Sequence, residues 1–116
     1  MVDEFRIQES QEGGRTVVLR VAGRLDAKSA PTLTQCCTEV RTSGQNVVLN
    51  LAGVTFIASS GLGALLSLAE EFRQAGRSIR FVSLSAAVTS VIQLLNLDQF
   101  LAIDATEEEA LRALAV

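Results

Sequence analysis

Ala58-Ser59-Ser60-Gly61-Leu62-Gly63 is the stretch whose residue types and spacing could do chemistry. Two adjacent hydroxyls stand between an apolar run, Val54-Thr55-Phe56-Ile57, and a helical pattern that starts at Leu62. A strand-to-helix junction offers unpaired backbone N–H groups and the positive end of the helix dipole. Glycines at 61 and 63 let another backbone or an anion approach without a Cβ in the way. Two readings are open. One serine can cap the helix. Capping needs a single hydroxyl, so the other can be free, at a place suited to hold a phosphate. Neither serine reads as a nucleophile, because residue 57 is Ile where G-x-S-x-G requires Gly. Leu66 likewise breaks the dinucleotide fingerprint. With no histidine in the chain to act as a base, the chemistry is that of a hydroxyl acted upon. No catalytic residue is assigned.

Composition excludes further classes. The absence of histidine removes Cys-His catalysis and histidine-containing metal sites. Aromatic residues make up 4%, with no Trp or Tyr, which supplies few stacking platforms for single-stranded nucleic acid. The net charge of -3 has the wrong sign for a phosphate-tracking surface, so no nucleic-acid partner is expected. Lys28 follows no glycine-rich loop, and a P-loop is absent. Cys36 and Cys37 are neighbours without C-x-x-C spacing, and read as small fillers of which at most one faces the core squarely. Asp98 and Asp104 lack calcium-loop spacing. Arg73, Arg77 and Arg80 sit with Glu70 and Glu71 and read as a solvated helix end. Neither a metal nor a cofactor is expected.

The elements that must position the serine pair follow from periodicity. The chain has 116 residues, one domain's worth, with 48% hydrophobic and 20% charged residues. Phe5-Arg6-Ile7-Gln8 alternates as a strand, and Gly13-Gly14 turns it into a second strand over residues 16–22, broken by Gly23. Ser29 is the expected N-cap of a helix with Pro31 in its first turn and Leu33, Cys36, Cys37 and Val40 at helical spacing, closed by Gly44. Val47-Val48-Leu49-Asn50-Leu51 reads as a central strand buried on both faces. A helix to about Ala75 carries Leu62, Leu65, Leu66, Ala69 and Phe72 on one stripe. A strand at 78–82 precedes a helix capped by Ser85, with Val88, Val91, Ile92 and Leu95 inward. A short strand at Leu101-Ala102-Ile103 leads to a last helix over 107–115, started by a Thr106/Glu109 capping box and packing through Ala110, Leu111 and Leu114.

The order ββαβαβαβα predicts one α/β domain spanning residues 1–116. Its sheet is mixed and mostly parallel, of four to five strands with an N-terminal antiparallel hairpin, packed by about four helices. Met1-Val2-Asp3-Glu4-Phe5 lacks the blocks of a signal peptide. The apolar stretch at 56–69 is interrupted by serines and glycines and is shorter than a membrane span. A cytoplasmic protein with no direct membrane insertion is expected.

Gly23-Arg24-Leu25-Asp26, the strand Val47-Val48-Leu49-Asn50-Leu51, and Phe56-Ile57-Ala58-Ser59-Ser60-Gly61-Leu62-Gly63-Ala64-Leu65-Leu66 together resemble the STAS domain family. The resemblance extends from the first strand to the final helix and favours the stand-alone bacterial anti-sigma factor antagonists. It implies a partner switch. The unphosphorylated form binds an anti-sigma factor, a serine kinase of the GHKL ATPase type; phosphorylation separates them, and a serine phosphatase resets the cycle. By the same resemblance Ser59 is the phosphoacceptor, and Asp26, Ala58, Ser59, Ser60, Gly61, Leu62 and Gly63 form the partner-binding surface. The family pattern usually reads D-S-S-G, and Ala58 stands where its aspartate flanks the acceptor and helps present it to the kinase. Two other classes stay open: a non-phosphorylated STAS scaffold subunit of a signalling or membrane lipid-transport complex, which Ala58 favours, and a nucleotide-binding module using the helix N-terminus near Ser59.

Overall fold

The computed structural model describes residues 4–115. The expectation for Met1-Val2-Asp3, and the last position of the 1–116 span, lie outside the described residues. Strands β1 (Arg6–Glu12) and β2 (Thr16–Leu25) form the hairpin. Helix α1 (Ala30–Thr42), β3 (Asn46–Ile57), α2 (Ser59–Gln74), β4 (Ile79–Val82), α3 (Ala86–Leu94), β5 (Ile103–Asp104) and α4 (Glu107–Leu114) follow, with a 3-10 turn at Leu97–Phe100. The sheet order is β1-β2-β3-β4-β5. β1 pairs antiparallel with β2, and every later pairing is parallel, as strands joined through helical crossovers must be.

Period-two alternation divides the core between the two faces of the sheet. Val17, Leu19 and Val21 of β2, Val47, Leu49 and Leu51 of β3, and Ile79 and Phe81 of β4 pack against Leu33, Leu65, Leu68, Phe72, Val88 and Ile92 of α1, α2 and α3. The other face is smaller: Val18, Val48 and Val82 meet Ala110 of α4. A polar tie reinforces that second layer. Arg20 donates two hydrogen bonds of 2.8 Å to the Glu107 carboxylate, and Asn50 Nδ2 donates a third at 2.7 Å. Arg80 pairs with Asp104 across β4 and β5, so it belongs to the sheet rather than to a solvated helix end.

Glycine does not end the strands where its position suggests. β2 runs past Gly23, which adopts φ +100° beside a register shift at Gly23/Arg24. A Cβ there would lie 2.6 Å from the Glu4 carbonyl oxygen, so the site requires glycine for close approach as well as conformation. β3 likewise continues beyond Leu51 to Ile57, through a second shift opposite Arg20 and Ala22. These irregularities carry both strands three or more residues further than a simple ladder and deliver their ends beside the start of α2.

Ser85 and Thr106 cap α3 and α4, accepting from the Val88 and Glu109 N–H groups. Cys37 is buried and Cys36 half-buried, the division that adjacent helical positions require. Leu95 is 53% exposed rather than inward. It is the C-cap of α3, followed by Asn96 in the left-handed region, so the helical face does not extend to it. Among the described residues no helix is long and apolar enough to cross a membrane.

Candidate functional site

The C-terminal ends of β2 and β3 meet the N-terminus of α2. Leu25 pairs with Ile57 at the last position of the ladder, and the Ala58 N–H donates to the Leu25 carbonyl at 2.9 Å. The chain then turns into α2. Ala58 is the N-cap residue, extended at φ -93° and ψ 170°. The serines are therefore the first two residues of the helix proper, and neither holds the capping position. Both are exposed. The reading in which one serine caps α2 gives way to one in which two hydroxyls face solvent at a helix N-terminus.

Gly61 and Gly63 do different work. Gly61 is buried, and a Cβ on it would lie 2.5 Å from the Leu25 carbonyl oxygen and 2.8 Å from Leu25 Cγ. Its missing side chain lets α2 lie directly on the end of β2. Gly63 is exposed, and a Cβ there would meet nothing within 4 Å. Leu62, 8% exposed, turns into the core. Of the anticipated surface, Ser59, Ser60 and Gly63 are solvent-facing, Asp26 and Ala58 are half-buried, and Gly61 and Leu62 act through packing.

Asp26 opens the loop between β2 and α1. Its Oδ1 accepts from the Lys28 N–H at 3.1 Å and the Ser29 N–H at 3.2 Å. The Ser29 backbone N–H first, then the Lys28 N–H, the Ser29 hydroxyl and the charge of Arg24 hold the Asp26 carboxyl below its ordinary value. Ser29 sits at the N-cap position of α1, but its hydroxyl does not cap the helix. It donates to the Arg24 carbonyl at 2.7 Å and accepts from the Asp26 N–H at 2.9 Å. The loop is tied to itself, and it presents an ionised carboxylate beside α2.

Two residues at this end were given no role of their own by the sequence. Arg24 and Phe56 are register partners on β2 and β3, and the Arg24 guanidinium carbon stacks 4.1 Å from the Phe56 ring centroid. Arg24 also lies 3.8 Å from Asp26. A groove of about 560 Å³ runs along α1 past Ala30, Pro31, Thr34 and Thr38 and reaches Ser60. Among the described residues no group of three or more Cys, Asp and Glu could hold a metal.

Comparison with known proteins agrees with this architecture. The curated relative RsfA, the anti-sigma-F factor antagonist of Mycobacterium tuberculosis, is 28% identical over 106 residues, covering 89% of this chain and 83% of its own. The crystal structure of an anti-sigma factor antagonist from Mycobacterium paratuberculosis superposes with a TM-score of 0.85 at 26% identity, covering 98% of this chain and 97% of that one. Unphosphorylated SpoIIAA, an anti-sigma factor antagonist, superposes with a TM-score of 0.77 at 25% identity over 96% of this chain and 98% of its own. SpoIIAA, described as a Bacillus cell fate determinant, is also solved in its phosphorylated form, with a TM-score of 0.72 at 23% identity over 94% and 99% of the two chains. The STAS domain model matches residues 8–110, and the chain belongs to the STAS domain family.

Proposed function

We propose that this chain is an anti-sigma factor antagonist that works by partner switching, with Ser59 as the phosphoacceptor. In this reading the unphosphorylated form binds an anti-sigma factor of the GHKL serine-kinase type, phosphorylation of Ser59 releases it, and a serine phosphatase restores binding. The chain itself is not an enzyme. The observation that carries the reading is an exposed serine at the first position of α2, beside the ordered Asp26 loop. Its relatives RsfA and SpoIIAA are antagonists of the same kind by name, and SpoIIAA exists in both phosphorylation states.

The switch needs no refolding. A phosphate adds about -1.5 to -2 charges at neutral pH. At the N-terminus of α2 that charge is tolerated by the helix dipole, worth up to ~1 kcal/mol. Against an acidic partner it is repelled, by about 1 kcal/mol for a like-charge pair at 4 Å in water and about 4 kcal/mol at an intermediate dielectric. Each ~1.4 kcal/mol is tenfold in affinity, so a release of about 100-fold is within reach of one modification.

The test is a pull-down from the source organism's lysate with wild-type and Ser59→Asp baits, read by mass spectrometry. A GHKL-type ATPase held by wild type and lost by Ser59→Asp is the expected result. Ala58 at the cap position favours the scaffold reading, in which no phosphorylation occurs. A set of partners unchanged by the substitution would replace the switch with that scaffold.

A further inference from the structure

The Arg24–Phe56 stack lies at the site but is not used by the phosphoserine switch. Phe56 is 39% exposed and the Arg24 side chain is 51% exposed. The guanidinium carbon lies 4.1 Å from the ring centroid, a cation–π contact that limits the rotamer freedom left to lose on binding. The contact with Asp26, at 3.8 Å, is too long for a hydrogen bond. Asp26 meanwhile directs Oδ1 to the Lys28 and Ser29 N–H groups. The Arg24 fork can therefore take a carboxylate from outside in bidentate fashion.

Arginine and aromatic residues, partly exposed and preorganised, are the usual anchors of a protein interface.

We propose that Arg24, held on Phe56, is a specificity-determining contact of the partner-binding surface. It pairs with a carboxylate of the partner, beside an apolar side chain that covers the Phe56 ring. The proposal rests on the antagonist reading and names the chemistry of the face that the partner presents. It also gives the switch its sign: a carboxylate of the partner meets the Arg24 guanidinium before phosphorylation. A phosphate of about -1.5 to -2 charges on Ser59 then adds negative charge to the surface that this carboxylate approaches.

The probe is the ATPase captured by the wild-type bait, purified and titrated calorimetrically against variants whose thermal unfolding is measured alongside. Arg24→Glu is expected to bind at least ~30-fold more weakly and Phe56→Ala about tenfold more weakly. Arg24→Lys keeps the charge but loses the fork, and about a fivefold loss is expected. Arg77→Glu makes the same charge change beyond the C-terminus of α2, the opposite end of that helix from Ser59, and is expected within about twofold of wild type. Arg24→Gln replaces Arg24→Glu if the latter does not fold. Failure to capture any ATPase would remove the antagonist reading and this contact with it. Capture of the ATPase, with Arg24→Glu or Arg24→Gln binding within twofold of wild type, would overturn the contact and leave the reading standing.

Discussion

Ala58→Asp places a carboxylate at the N-cap of a 16-residue helix that has an alanine there. The backbone at Ala58 is already extended, the conformation an N-cap aspartate takes, so the substitution introduces no strain. The new side chain can accept from the N–H of Ser60 or Gly61, groups of the first turn that have no carbonyl four residues back within the helix. Replacing alanine by aspartate at an N-cap is worth about 1 kcal/mol, and its charge gains a further ~0.5 kcal/mol from the dipole. For a domain of this length a gain of ~1.5 kcal/mol raises Tm by about 6 °C. Urea unfolding followed by circular dichroism at pH 7 measures the first quantity, and a thermal scan the second. Ala58→Asn supplies the hydrogen bond without the charge and is expected to gain about 1 kcal/mol. The aspartate's folded pKa will be depressed, so its gain is full above its unfolded value of about 4 and lost as pH falls through the folded value. No gain from either substitution would show that the first turn of α2 is already satisfied, and that Ala58 is not its cap.

Other substitutions test the packing that presents the site. Gly61→Ala drives a methyl into the Leu25 carbonyl and is expected to cost about 2 kcal/mol in chemical denaturation, while Gly63→Ala, in open space, is expected to gain about 0.5 kcal/mol. Equal effects at the two positions would contradict the placement of α2 on the end of β2. At Glu107, the hydrogen bonds from Arg20 hold the carboxyl below its ordinary value of 4.5, with Asn50 assisting. Its contribution is therefore present above pH 4.5 and lost as pH falls through the lower folded value. Glu107→Gln is expected to cost about 1 kcal/mol at pH 7, a figure kept small because the Arg20 side chain is 42% exposed. The difference from wild type should shrink as pH falls below 4.5, and a difference that stays constant through acid pH would rule out the ion pair as its source.

Much of the fold is written in local pattern. Alternation on β2 and β3, the stripe through Leu65 and Phe72, and the caps at Ser85 and Thr106 are short-range signals, and each holds in the structure. What was not legible depends on residues distant in sequence. Gly23 looks like a break, yet the ladder continues because a register shift absorbs it. Ser29 looks like a cap, but Arg24 and Asp26 fold back to claim its hydroxyl. The serine pair was visible at a strand-to-helix junction, and its exposure was not, since that follows from Ala58 taking the cap position. Arg24 and Phe56 become neighbours only through the β2–β3 register, which no single segment encodes.

The central claim is that charge at Ser59 controls partner binding. Titrating the purified ATPase into wild type, Ser59→Ala and Ser59→Asp tests it most directly. The account predicts that Ser59→Ala binds within about threefold of wild type and that Ser59→Asp, carrying half or more of a phosphate's charge, binds at least ~30-fold more weakly. Equal affinity for Ser59→Ala and Ser59→Asp would contradict it.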